Sequence, residues 1–126
     1  MSRRLSCSMT VDAVRDRTKT VTRRHVDTWK NLKVGDRLTL IEKGMGLPKG
    51  ARQVVLAEVE IVNVHIGLLM DMSDAECVAE GFPSMRALDF IDFWLGSHGL
   101  SETPLDELDV LPVRRIEWRY LDGAAQ

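Results

Sequence analysis

From Gln53 to Gly67 apolar and polar residues alternate, with Val55, Ala57, Val59 and Ile61 on one parity and Glu58 and Glu60 on the other. A period of two marks a strand with one buried face, so this stretch predicts a long strand, bent or broken near Asn63. Arg37 to Ile41 and Val113 to Leu121 alternate in the same way and predict two further strands. Leu5 to Met9 is a short, mostly apolar run that reads as a first strand, and Leu32 to Asp36, with Gly35 at its tight position, reads as a turn. Lys19 to Arg24 carries β-branched residues but too much charge for a core strand, which places it on a loop or a strand edge.

Helical spacing and caps appear elsewhere. Thr10 offers a hydroxyl to cap a helix through about Arg17, and Ser73-Asp-Ala-Glu76 has capping-box spacing ahead of a helix from Asp74 to Glu80, ended by Gly81. Ser84 is positioned to cap a third helix, in which Met85, Leu88, Ile91 and Leu95, with Trp94 alongside, form a core-facing stripe before Gly96 or Gly99. Gly44 to Gly50 is a Gly/Pro-rich loop and Glu102 to Asp109 an acidic one. Non-local strand pairing with two helices between the later strands predicts an α+β protein built on a small curved or closed sheet, not a parallel doubly wound one.

The length of 126 residues fits one domain, taken as 1–121, followed by a flexible tail at 122–126. No apolar run reaches the roughly 20 residues of a membrane-spanning helix, since Val54 to Met72 is interrupted by Glu58, Glu60, Asn63 and His65. The basic start Met-Ser-Arg-Arg is not followed by the apolar segment of a signal peptide, so a cytoplasmic protein without a membrane partner is expected. Cys7 and Cys77 lie far apart without CxxC spacing or neighbouring histidines, which predicts reduced thiols and neither a zinc site nor any other metal or cofactor. A monomer is expected.

The net charge of −2 conceals an asymmetry. Residues 1–33 carry nine Lys/Arg against Asp12, Asp16 and Asp27, so the basic excess is local and could draw phosphate even though the whole chain is slightly acidic. Its densest part is Lys19-Thr-Val-Thr22-Arg23-Arg24, an ammonium, two hydroxyls and two guanidiniums within six residues. Lys19 and Thr22 cooperate only where the backbone is not extended. If they do, a desolvated lysine could act as base toward the threonine hydroxyl, with a carboxylate to orient it.

These residues resemble the ASCH domains, which share a PUA-like β-barrel fold. The likeness rests on Lys19-Thr-x-Thr22-Arg-Arg24 after a short helix, on Lys33-Val-Gly-Asp36 before a strand, on a long strand leading into Asp74-Ala-Glu-Cys-Val-Ala-Glu80-Gly81-Phe82, and on a last strand ending Arg119-Tyr120. It implies a small curved or closed β-barrel with flanking helices. Some small bacterial members of that family remove the acetyl group from the exocyclic amine of acetylated cytidine. The resemblance therefore implies a metal-independent amidohydrolase with Thr22 as nucleophile, Lys19 as its base, Glu80 as the orienting carboxylate and Arg24 holding substrate or an oxyanion. Other relatives bind or cut RNA, so the expected partner is a modified nucleoside or RNA. The Gly/Pro loop and the insertion between Gly81 and Val113 resemble phage-borne members more than the small hydrolases.

Each candidate also has an ordinary alternative. Lys19 and Thr22 are either site residues or charged protection of a strand edge. In an extended chain Arg23 and Arg24 point apart, so one of them is either surface or paired with an acid, and the family pattern favours Arg24 for the site. Glu80 is placed against the helix dipole at its C-terminus, an unfavourable position that points to a use. Arg17 joins the candidate substrate-binding set, and Trp29 either stacks a base or packs in the core. His25 is a phosphate contact or a plain surface histidine; His65 and His98 receive no role.

Overall fold

The computed structural model describes residues 3–43 and 47–122. Five strands form one mixed sheet: β1 (Arg3–Ser6), β2 (Val21–His25), β3 (Arg37–Ile41), β4 (Val55–Leu68) and β5 (Pro112–Tyr120). Their order is β1-β3-β4-β5-β2, with β1 parallel to β3 and every other pairing antiparallel. The sheet curls into a half-barrel whose edges, β1 and β2, stay unjoined among the described residues, so the closed form of the expectation is not what the strands build. No helix among the described residues is long and apolar enough to cross a membrane.

β4 holds the sheet together because it is long enough to pair with β3 through its first half and with β5 from Val59 onward. The predicted break near Asn63 is a register shift between Ile61 and Asn63. An extra residue at that point bends the strand and steepens its twist, which is what curls the sheet. Ala57, Val59 and Ile61 are buried on the concave side with Leu5, Leu38, Leu40, Ile116 and Trp118. The short α1 (Val11–Arg15) drops Val14 into the same cluster.

A second apolar cluster lies under α2 (Asp74–Glu80) and α3 (Ala87–Ser97), where Leu69, Met72, Cys77, Phe90, Ile91, Trp94 and Leu95 meet Val113 of β5. Ser73 Oγ caps α2 by accepting the Glu76 amide at 3.1 Å. Gly81, at φ +94°, ends it with the Phe82 amide donating to the Cys77 carbonyl at 2.8 Å. A β-carbon at Gly81 would lie 2.9 Å from Thr10 Cγ2, so this position needs both the left-handed backbone and the missing side chain.

Several expectations shift. β1 stops at Ser6 rather than Met9; the Cys7 amide still donates to the Ile41 carbonyl at 2.8 Å, and the chain then turns at 8–9. Thr10 makes no capping bond and is buried instead. The start of α3 is fixed by Asp89, which accepts from the Arg86 amide at 3.0 Å, and by Asp74, which accepts from the Ala87 amide at 2.8 Å, not by Ser84. Leu88 is exposed rather than part of the packed stripe. The acidic loop contains a short helix, α4 (Leu105–Leu108). Residues 44–46 of the Gly/Pro loop, and the tail beyond Asp122, lie outside the described residues.

Candidate functional site

The segment ahead of β2 is not extended, and that decides where Lys19 points. The Lys19 amide donates to the Ala13 carbonyl at 3.0 Å, the Thr20 amide donates to Ala79 in the last turn of α2 at 2.9 Å, and Tyr120 Oη donates to the Lys19 carbonyl at 2.5 Å. Held on three elements, Lys19 turns its ammonium onto the C-terminus of α2. There Nζ donates to the Glu80 carbonyl at 2.5 Å and to the Val21 carbonyl at 2.9 Å, and lies 3.7 Å from Glu80 Oε1. An ammonium suits the negative end of a helix, and it makes the otherwise unfavourable carboxylate of Glu80 tolerable there.

Both side chains are about as buried as the core, at 3% and 4% exposure. Burial pushes the Lys19 pKa below the ordinary lysine value, while the neighbouring Glu80 pulls it back up. The other Glu80 oxygen accepts from Arg23 Nη1 at 2.8 Å, and Arg23 Nη2 donates to Glu76 Oε1 at 2.6 Å. Glu76 also receives Arg115 Nε at 2.8 Å, and Arg115 Nη1 reaches Glu117 at 2.8 Å. The predicted capping-box carboxylate of Glu76 is thus used across the fold instead of on its own helix. A chain of alternating charges, Lys19-Glu80-Arg23-Glu76-Arg115-Glu117, ties β2 and β5 to α2.

Lys19 and Glu80 lie at the polar end of a cavity of about 220 Å³. Ser6, Cys7, Ser8 and Thr10 continue that end together with Arg23 and Arg24. The opposite wall is aromatic: Phe82, Phe90 and Phe93 meet at centroid distances of 5.1 to 6.3 Å, and Trp94 stacks on His98 at 3.8 Å. Trp94 Nε1 donates to the Arg23 carbonyl at 3.1 Å, fixing the wall to β2. His98 Nδ1 lies 2.8 Å from the Trp94 carbonyl, which can only accept, so Nδ1 is the donor of that bond. The cavity sits at the seam of the two cores.

The structure brings together Lys19, Glu80, Arg23 and Arg24, but not the whole predicted set. Thr22 is buried, shares its face of β2 with Arg24 and accepts from Arg24 Nε at 3.1 Å; it is not among the lining side chains. Both arginines reach the cavity despite opposite parity, Arg23 as a partner of two carboxylates and Arg24 with its Nη2 on the Ser6 carbonyl at 2.8 Å. Arg17 is elsewhere: it pairs with Asp122 and lies over the Tyr120 ring. Trp29, at φ +58°, is half-buried against the first apolar cluster with Arg3 over its ring, and it does not line the cavity. His25 does not line the cavity; its Nδ1 accepts the Asp27 amide at 3.1 Å.

What the sequence reading missed is the aromatic wall and His98. Residues 90, 93, 94, 97 and 98 follow each other at helical spacing, so one stripe of α3 carries the wall, but burial and cavity lining share that spacing. Cys7 also reaches the cavity; burial raises its thiol pKa, with Lys19 and Arg24 pulling the other way. Among the described residues no group of three or more His, Cys, Asp or Glu is arranged to hold a metal ion.

No family model matches the sequence, and no curated protein does. Two solved structures share the fold. Hypothetical protein PH0355 aligns at a TM-score of 0.60 with 13% identity, over 96% of this chain and 100% of that one. Protein EF3133 from Enterococcus faecalis V583, of the family DUF984, aligns at 0.59 with 15% identity, over 96% and 81%. At such identities the likeness is one of fold, and it places this chain with small α+β proteins built on a curved sheet.

Proposed function

We propose that the protein is an amidohydrolase that removes an acyl group, acetyl in the simplest case, from the exocyclic amine of a cytosine nucleoside or a related modified base. The observation that carries this reading is the buried Lys19–Glu80 pair at the floor of a cavity whose other wall is aromatic. A volume of about 220 Å³ falls below the roughly 300–1,000 Å³ of sites for drug-sized ligands, which favours a single base or nucleoside over a strand of nucleic acid.

The chemistry follows from the charges. Desolvation favours neutral Lys19, which can accept a proton; Glu80 then stabilises the ammonium that forms. In the reaction, Lys19 takes the Thr22 proton as Oγ1 attacks the acyl carbon. The C–N bond breaks, and the ammonium returns its proton to the leaving amine. Water, deprotonated by the same lysine, then attacks the Thr22 ester; the carboxylate product leaves and the ammonium returns its proton to Thr22 Oγ1. Arg24, which already donates to Thr22 Oγ1, is the donor nearest the developing oxyanion.

Because Thr22 stands behind Arg24, water attacking directly is the competing nucleophile. Lys19→Met is expected to lower release of acetate from acetylcytidine by roughly 10²–10⁴-fold, the usual worth of a general base. Thr22→Val discriminates the two routes: loss of turnover supports the acyl-enzyme, and retained turnover assigns the attack to water. A panel of acylated bases left intact by the native protein would sink the reading. The alternative, an RNA- or modified-nucleotide-binding module gripping phosphate through Arg17, Arg23, Arg24 and Lys30, has less support, since Arg17 and Arg23 already face carboxylates.

A further inference from the structure

One cation in the cavity wall has no counter-charge in contact. Lys19 faces Glu80, and Arg23 is held between Glu80 and Glu76. Arg24 spends Nε on the Thr22 hydroxyl and Nη2 on the Ser6 carbonyl, both uncharged acceptors. Among the described residues no carboxylate lies within 4.0 Å of its guanidinium. Three cations therefore stand against two carboxylates. A partly desolvated guanidinium without a counter-ion is unfavourable, and a ligand that brings negative charge offsets that cost.

A second observation shows where such a ligand would extend. Ser8, on the rim of the cavity, also lines an adjoining cavity of about 380 Å³ whose walls include Lys43 and Arg52. Both cations are exposed, and among the described residues neither has a carboxylate within 4.0 Å; Glu42 is the one acid in that wall. Two cations without ion-pair partners in the wall of a cavity that meets the first one at Ser8 suit a phosphate group.

We propose that the ligand is a free anionic nucleotide, its base against the aromatic wall and its phosphate passing Ser8 onto Lys43 and Arg52, rather than an uncharged nucleoside. This deepens the proposed function by naming the substrate class, and it rests on that reading for the base but not for the hydrolysis. Arg24 supplies the positive field at the inner end, and the two exposed cations make the direct contacts at the outer end.

The test is calorimetric titration of the intact protein with cytidine and with cytidine 5′-monophosphate. The monophosphate is expected to bind about tenfold more tightly, as charge-assisted contacts to phosphate imply. That advantage should shrink as salt rises. It should also vanish in the Lys43→Gln, Arg52→Gln double variant, whose exposed side chains leave the fold intact by thermal melting. Equal affinities, an advantage that survives the double variant, or no binding of either compound overturns the proposal. An oligocytidylate that binds much more tightly than the mononucleotide overturns it in favour of a strand. Parallel turnover of acetylcytidine with and without a 5′-phosphate separates the two readings. Equal kcat/KM for both sinks this inference and leaves the hydrolase standing, whereas variant-sensitive nucleotide binding with no turnover sinks the hydrolase alone.

Discussion

The chain of charges that crosses the fold has two ends made from the same kinds of side chain. At the inner end Lys19, Glu80 and Arg23 have side chains 3–6% exposed, packed between helix, strand and cavity. At the outer end Glu76, Arg115 and Glu117 are 17–37% exposed. Desolvation makes the inner charges dependent on one another, because none has water to fall back on. It also makes Lys19 easier to deprotonate than an ordinary lysine, which the proposed hydrolysis needs. The outer charges keep partial hydration, so their pairing adds stability and sets no reactive group. On the proposed reading, function and support are divided along a single ionic path, and burial decides which is which.

Removing Glu80 tests the inner end most severely. Glu80→Ala leaves Lys19 without its carboxylate and Arg23 with only Glu76, and stability in urea unfolding is expected to fall by about 3–5 kcal/mol. Lys19→Met provides the contrast, because Glu80 keeps Arg23 and only the Val21 and Glu80 carbonyls lose a donor. Its expected loss of stability is about 1–3 kcal/mol, the cost of buried carbonyls left without a donor and less than the loss for Glu80→Ala, yet it should lower turnover as strongly as Glu80→Ala. Similar stability losses for the two variants would break the asymmetry.

Gly81→Ala strikes the backbone that brings Glu80 to Lys19. The alanine must adopt φ near +94° and place its β-carbon 2.9 Å from Thr10 Cγ2. A loss of about 1–3 kcal/mol is expected from the strain and the clash together. A melting temperature equal to that of the native protein would show that α2 can end in another way.

The inner end was largely legible in the sequence, and the aromatic lining beside it was not. Charge in an otherwise β-branched segment drew attention to the stretch from Lys19 to Arg24, whereas Glu80, and Arg24 over Arg23, came from the resemblance to ASCH domains, with the carboxylate against the helix dipole as support. The long strand and its break at Asn63 came from strict alternation. By contrast, Phe90, Phe93 and Trp94 are apolar residues on an amphipathic helix, a pattern that a buried stripe and a cavity wall share equally. Thr10 and Ser84 failed as caps because tertiary partners competed: Thr10 packs against Gly81, and Asp74 and Asp89 already take the first amides of α3. Trp29 and Arg17 were placed at the site by proximity in sequence, yet after the turns that follow Arg15 and His25 neither lines the cavity.

Acid should distinguish the two ends by titration. Hydrogen bonds from Arg115, with help from Arg23, hold the Glu76 carboxyl at about 2, below its ordinary value of 4.5. A depressed carboxylate favours the folded state at any pH above its unfolded pKa, and that contribution disappears as pH falls through the folded pKa. Stability should therefore decline between about pH 4.5 and 2, by on the order of 1–2 kcal/mol after allowance for solvent screening. Glu76→Gln should flatten this part of the pH profile in chemical unfolding. A profile unchanged by the substitution would mean that the outer end contributes nothing to acid stability.

The smallest expected effect is the sharpest control, because β5 carries a second arginine–carboxylate pair of nearly the same length. Arg119 Nη2 lies 2.7 Å from Glu60 Oε1, against 2.8 Å for Arg115 Nε and Glu76 Oε1. Arg119 is 59% exposed and makes one such contact, whereas Arg115 is 17% exposed and grips its acid with two nitrogens. A double-mutant cycle on Arg119 and Glu60 should return a coupling below about 0.5 kcal/mol that fades with added salt. The same cycle on Arg115 and Glu76 should return a larger value that salt reduces less. Equal couplings would mean that contact distance, and not the degree of burial along the ionic path, sets what each pair contributes.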